Sequence, residues 1–244
     1  MTNLIVTGNA CRAASALAGR LVRMGCEYAP PEVVSAMEGV VRGEGEEEEA
    51  TWERVDVSEL NEGLLRACGC AWEDPYLFRV DGISSDEIKS FHRRASGVIA
   101  GFSGEGPWMM KDAHFALTLP IWEAAFETPV MVVVVYEEPG EFARRLVREQ
   151  GIPSSVGMAL WEYRMCHLLN ACRRVSFVCV ERSDLEKYPA SSGERIREAL
   201  EGAGVEGLFP GGISILAGGG ICTARDADAA FAYLVRTCAG TTPD

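Results

Sequence analysis

The sequence has no Walker A motif: GxxxxGK followed by Ser or Thr occurs nowhere in it. That removes the lysine-bearing loop of the nucleotide phosphotransferases and disfavours a kinase-like reaction. Histidine is scarce. His92, His114 and His167 are the three in the chain, far apart and outside any metal-ligand spacing. Basic residues are also short, with 23 Lys and Arg against 36 Asp and Glu and a formal net charge of −13. Such a balance argues against a nucleic-acid surface or adsorption to anionic lipid, both of which need clustered cations. It leaves room for a small basic pocket and an anionic nucleotide.

Long apolar runs are missing too. The longest, Val130 to Val135, is of strand length rather than the roughly 20 residues of a membrane helix. No basic residue precedes Leu4-Ile5-Val6 and the run stops at Thr7-Gly8, so a signal peptide is not expected and the reading is cytoplasmic. Cysteine is not lacking, with nine residues, but Cys68-Gly-Cys70 is the one close pair and no second pair stands at zinc spacing. In a reducing compartment these are small buried hydrophobes. No metal is expected.

What is present is an alternation of strands and helices. Leu4–Thr7 reads as a strand, Gly8–Ala13 as a loop and Ala14–Met24 as a helix with Leu17, Leu21 and Val22 at helical spacing. Helices follow over Asp56–Cys68, Ser84–Ala100, His114–Phe126, Pro139–Gln150 and Ser155–Cys172. Trp108–Lys111, Pro129–Tyr136 and Val175–Val180 are strands, the second a continuous valine run suited to a central parallel strand. Gly43–Glu49 is an acidic surface loop, and Ser192–Gly202 and Asp226–Cys238 are helices separated by glycine-rich turns. This predicts one α/β domain over 1–244, three-layered, with a mostly parallel sheet and helices on both faces. Ligands of such folds sit at the C-terminal strand ends. There the chain carries Gly8 to Ser15, Lys111-Asp112, and Tyr136-Glu137-Glu138-Pro139 with Arg144-Arg145. A strand, a loop of small residues and a helix N-terminus cradle an anion with backbone N–H groups; a plain strand-to-helix turn has the same sequence signature.

The order of motifs resembles the bacterial sulfotransferases that use phosphoadenosine phosphosulfate (PAPS). GNACRAASAL at Gly8–Leu17 stands where members carry GMHRSGTSAL. Trp52-Glu53, Asn61 to Leu65, Trp72-Glu-Asp-Pro75, Trp108 to Asp112, Leu119-Pro-Ile-Trp122, Glu137-Glu-Pro139 with Ala143 to Leu146, Leu160-Trp161 and Glu181 to Leu185 follow in the family's order. The resemblance spans Leu4 to Pro189 and implies a P-loop-like sulfotransferase fold. It further implies sulfuryl transfer from PAPS to a hydroxyl of a small molecule or glycan.

By that resemblance the 5′-phosphosulfate is held by Gly8, Asn9, Cys11, Arg12, Ala13, Ala14 and Ser15, with Lys111 as a further cation. Glu137 and Arg145 occupy the 3′-phosphate positions, and Glu53 is the general base. The family's loop arginine is Cys11 in an ungapped alignment. One insertion and one deletion instead put Arg12 in that role, neutralising the bridging oxygen, and Ser15 in the hydroxyl role. The family's 3′-phosphate arginine is Glu137 here and its serine partner is Arg145. A carboxylate about 4 Å from a unit negative charge costs on the order of 4 kcal/mol at an effective dielectric of 20. Arg144 or Arg145 compensates by pairing with Glu137 or by reaching the phosphate. Two functions are therefore open: a PAPS-dependent transferase, or a degenerate sulfotransferase fold that binds another ligand or a protein.

Overall fold

The computed structural model describes residues 2–29 and 54–187. The acidic loop, Trp52-Glu53, and the helices expected over Ser192–Gly202 and Asp226–Cys238 lie outside the described residues.

Four parallel strands form the sheet: β1 Asn3–Gly8, β2 Met109–Lys111, β3 Val130–Tyr136 and β4 Ser176–Glu181, in the order β2-β1-β3-β4. The register places Val6 beside both Lys111 and Val133, and Val135 beside Gly8 and Val180. β3 is a valine run because it is covered twice. Val132 and Val134 point to one core, Val133 and Val135 to the other.

Helix α1 (Cys11–Arg23) puts Leu17 and Leu21 into the second core, where Leu185 of α7 (Arg182–Lys187) joins it. The opposite face is covered by five helices. These are α2 (Val55–Ala67), α3 (Ser85–Ala100), α4 (Phe115–Trp122), α5 (Pro139–Gln150) and α6 (Ser154–Ala171). Helices on both faces of a parallel sheet make the three layers that the alternation predicted.

Local signals set most boundaries. Pro139 opens α5, where its fixed φ and missing N–H cost nothing. Gly151 ends it with φ 69°, a left-handed cap that glycine adopts without a Cβ penalty. The cap of α3 is Ser84: its hydroxyl accepts from the Glu87 amide while the Glu87 carboxylate accepts from the Ser84 amide. At α4 the helix closes at Trp122 and a 3-10 turn, Glu123–Ala125, completes the segment.

The largest departure lies after β1. The expected loop, Gly8–Ala13, shrinks to Asn9-Ala10, because α1 begins at Cys11. Ala10, Ala13 and Ala14 are strong helix formers, and no glycine after Gly8 holds the chain open. Gly8 itself is obligatory. Its φ is 133°, and a Cβ there would collide with the Val135 carbonyl of the neighbouring strand.

Candidate functional site

The C-terminal ends of β1, β2 and β3, with the first turn of α1, wall a cleft of about 380 Å³. Four arginines line it (Arg12, Arg145, Arg164, Arg182) against two glutamates (Glu137, Glu149). On a chain of net charge −13 this is a local reversal of sign.

Glu137, the first residue after β3, is the hub of one wall and is buried. Its Oε1 accepts from Arg145 Nε at 3.0 Å and Nη2 at 2.5 Å, and its Oε2 from Arg182 Nη1 at 2.8 Å. The backbone is fixed as well. The Glu137 amide donates to Asn9 Oδ1 at 3.0 Å and its carbonyl accepts from Trp161 Nε1 at 2.8 Å. Arg145 also donates to the Asn9 carbonyl at 3.1 Å. Burial works against the Arg145 charge, but its bond to Glu137 and that carboxylate's charge hold its pKa above the ordinary value. Arg182 is raised likewise by its bonds to Glu186 and Glu137. Of the two arginines weighed as partners for Glu137, Arg145 takes the role. Arg144 is exposed and bonds Glu141 at 2.7 Å.

The first turn of α1 forms the next wall. Cys11, Arg12 and Ala13 line the cleft, while Ala14 and Ser15 are buried in the helix. Ala10 offers no side-chain cap and the first turn carries no acid, so the helix's positive end is left uncompensated by its own sequence. Arg12 is mostly solvent-exposed and approaches Glu149 only to 4.0 Å. The basic groups of this wall therefore come from other helices, not from the loop.

Beyond β2, Asp112 is buried among donors. Ser58 Oγ donates at 2.6 Å, Asn61 Nδ2 at 3.0 Å and the His114 amide at 2.8 Å, and His114 Nδ1 lies at 2.9 Å. Burial pushes the Asp112 carboxyl up. The bonds from His114 and Ser58 and the charge of His114 outweigh it and hold the carboxyl below its usual range. Facing a carboxylate, Nδ1 of His114 carries the proton, and Nε2 is left without a hydrogen-bond partner among the described residues. His114 lines the cleft. Lys111 is buried within β2 and does not line it.

Arg164, from α6, completes the cleft. It is 5% exposed and its Nη2 donates to the Trp72 carbonyl at 3.0 Å, with the guanidinium 5.5 Å from the Trp72 ring centre. Its Nε has no partner, and no carboxylate pairs with it among the described residues. Burial lowers its pKa.

Comparison with protein-family models, with curated proteins and with solved structures gave no match.

The structure thus gathers Asn9, Cys11, Arg12, Ala13, Glu137 and Arg145 around one cleft. It leaves Lys111 in the sheet, and Glu53 lies outside the described residues. Sequence reasoning missed His114, Arg164 and Arg182. His114 had a signal, since Asp-x-His at a strand end is a compact orienting pair. Arg164 and Arg182 had none, because each reaches the cleft from an element distant in sequence.

Proposed function

We propose that this chain is a ligand-binding protein on a sulfotransferase-like α/β scaffold, and that it does not use PAPS. One observation carries the reading. Where the resemblance calls for a 3′-phosphate, the protein supplies its own anion, the buried Glu137 carboxylate, held by Arg145 and Arg182. The cations that would bind the phosphate are already neutralised. A phosphate brought beside Glu137 meets a like charge worth on the order of 4 kcal/mol at about 4 Å and an effective dielectric of 20, close to a thousandfold in affinity. The donor nucleotide therefore does not fit these residues, and no transfer step is derived through it.

The test is calorimetric titration with adenosine 3′,5′-bisphosphate, the desulfated donor. No heat of binding at millimolar nucleotide is expected. Micromolar binding that is lost in Arg145→Ala would overturn the reading.

A second reading, sulfuryl transfer, is favoured by His114. With Asp112 fixing Nδ1, its free Nε2 is placed to accept a proton from a hydroxyl in the cleft. It predicts turnover of PAPS that disappears in His114→Asn.

A further inference from the structure

His114 is an oriented base for which ligand binding alone gives no use. Asp112 holds its Nδ1 at 2.9 Å, its Nε2 has no hydrogen-bond partner among the described residues, and the side chain is 17% exposed where it lines the cleft. A carboxylate that fixes one ring nitrogen leaves the other as a proton acceptor. The neighbouring strand supplies a group with a proton to give. β1 and β2 pair through Val6 and Lys111, and the Asp112 amide still donates to the Val6 carbonyl at 3.2 Å. The segments Asn9–Cys11 and Ala113–His114 therefore leave adjacent strands and enter one cleft. Cys11, the first residue of α1, is only partly buried, unlike Cys26, Cys70 and Cys172. Among the described residues that line the cleft there is no Ser, Thr or Tyr, so Cys11 carries the one thiol or hydroxyl within it.

We propose that Cys11, His114 and Asp112 form a thiol hydrolase centre for small carboxylic esters. His114 Nε2 takes the thiol proton as the Cys11 sulfur bonds to the ester carbonyl carbon. Arg164 serves the charge that gathers on the carbonyl oxygen: it is 5% exposed, lines the cleft and has an unpartnered Nε. The ester C–O bond then breaks, and the proton on Nε2 passes to the departing alkoxide, which leaves as the alcohol. The acyl group stays on Cys11 as a thioester. Water gives a proton to Nε2 and bonds to the acyl carbon, the C–S bond breaks, and the sulfur takes that proton back as the carboxylic acid departs. The sum is ester plus water to acid plus alcohol, which balances without a further reactant. Asp112 is the positioning residue, because it fixes the tautomer that leaves Nε2 free. Ala113, Phe142 and Leu146 line the cleft with apolar surface, which suits a short acyl chain. The activity goes beyond ligand binding and is independent of whether PAPS is used.

The probe is p-nitrophenyl acetate. Release of p-nitrophenol is followed by absorbance, and acetylated peptides are quantified by mass spectrometry after acid quench. Acetylation of Cys11 is expected to be about a hundredfold faster than in the urea-unfolded chain, each normalised to N-acetylcysteine in the same solvent, and to be followed by turnover. Cys11→Ala should abolish turnover, and His114→Asn should slow acetylation about a hundredfold. Asp112→Asn should lower the acetylation rate constant about a hundredfold without changing the ester concentration that half-saturates it, the split expected when only the tautomer of the base is lost. Acetylation no faster than in the unfolded chain overturns the proposal, as does acetylation without turnover. Turnover that survives in folded Cys11→Ala overturns it too, as does an unchanged rate in folded His114→Asn or Asp112→Asn. Should the variants fail to fold, the wild type decides: methyl methanethiosulfonate on Cys11 must abolish turnover and dithiothreitol must restore it. Turnover that persists in the blocked protein sinks the proposal. Titration with adenosine 3′,5′-bisphosphate judges the binding reading by itself, so the two fail separately.

Discussion

Glu137 and Arg145 meet at 2.5 Å at the end of β3, and with Arg182 they fill one wall of the cleft with a closed ionic cluster. The carboxylate is buried, whereas the Arg145 and Arg182 side chains are 17% and 37% exposed. One buried anion is thus shared by two cations, each of which keeps some access to water and a second carboxylate, Glu149 for Arg145 and Glu186 for Arg182. The consequences of breaking this relationship are unequal on its two sides.

Replacing Glu137 by Gln removes the buried charge that Arg145 and Arg182 share and leaves them only the more exposed Glu149 and Glu186. Stability to urea is expected to fall by about 3 kcal/mol, the lower end of what breaking a buried pair costs, because both arginines can rehydrate. The same variant should gain affinity for phosphate or sulfate, measured calorimetrically, since the wall now lacks an anion. A destabilised variant with no gain would mean that the cluster only holds β3 and α5 together.

Arg164→Met removes a buried charge that makes no ion pair with a carboxylate among the described residues. The unliganded variant is expected to be at least as stable as the wild type in urea unfolding. Loss of more than about 2 kcal/mol would show that the bond to the Trp72 carbonyl matters more than the buried charge.

Asp112 gives the fold a pH dependence with a definite sign. Its carboxyl is held below the ordinary range in the folded protein. Its contribution is therefore complete above the unfolded pKa near 4 and is lost as pH falls through the lower folded value. Urea midpoints measured from pH 6 to pH 3 should decline for the wild type. Asp112→Asn should be less stable at pH 6 and show a shallower decline below pH 4.

Asn61 is fully buried and makes three side-chain hydrogen bonds. Its Oδ1 accepts from Thr118 Oγ1 at 2.8 Å and Trp122 Nε1 at 2.7 Å, and its amide donates to Asp112. Asn61→Leu orphans the Trp122 indole N–H and takes one bond each from Thr118, which keeps the His114 carbonyl, and Asp112, which keeps Ser58 and His114, so a loss of about 2 kcal/mol or more is expected in urea unfolding. A loss under about 1 kcal/mol would mean that water replaces the amide.

Gly8→Ala forces a side chain into the Val135 carbonyl from a backbone with φ 133°. It is expected to cost more than about 4 kcal/mol, seen as loss of the cooperative urea transition or of soluble protein.

The layered α/β architecture was legible in the sequence because it depends on local periodicity. The valine run of β3 announced a strand covered on both faces, and Pro139 and Gly151 marked the ends of α5. The line of motifs also pointed to the strand ends where the cleft lies. Tertiary structure decided what those ends do. Nothing in the spacing of Arg164 or Arg182 says that parallel strands and a long helix carry them to one cleft, or that Arg182 and Arg145 converge on Glu137 while Arg164 pairs with no carboxylate among the described residues. Nor does composition reveal that α1 begins at Cys11, so that the loop is two residues long and Arg12 faces solvent. Periodicity is a property of neighbours along the chain. Charge compensation depends on distance through space, and only the packed fold sets that distance.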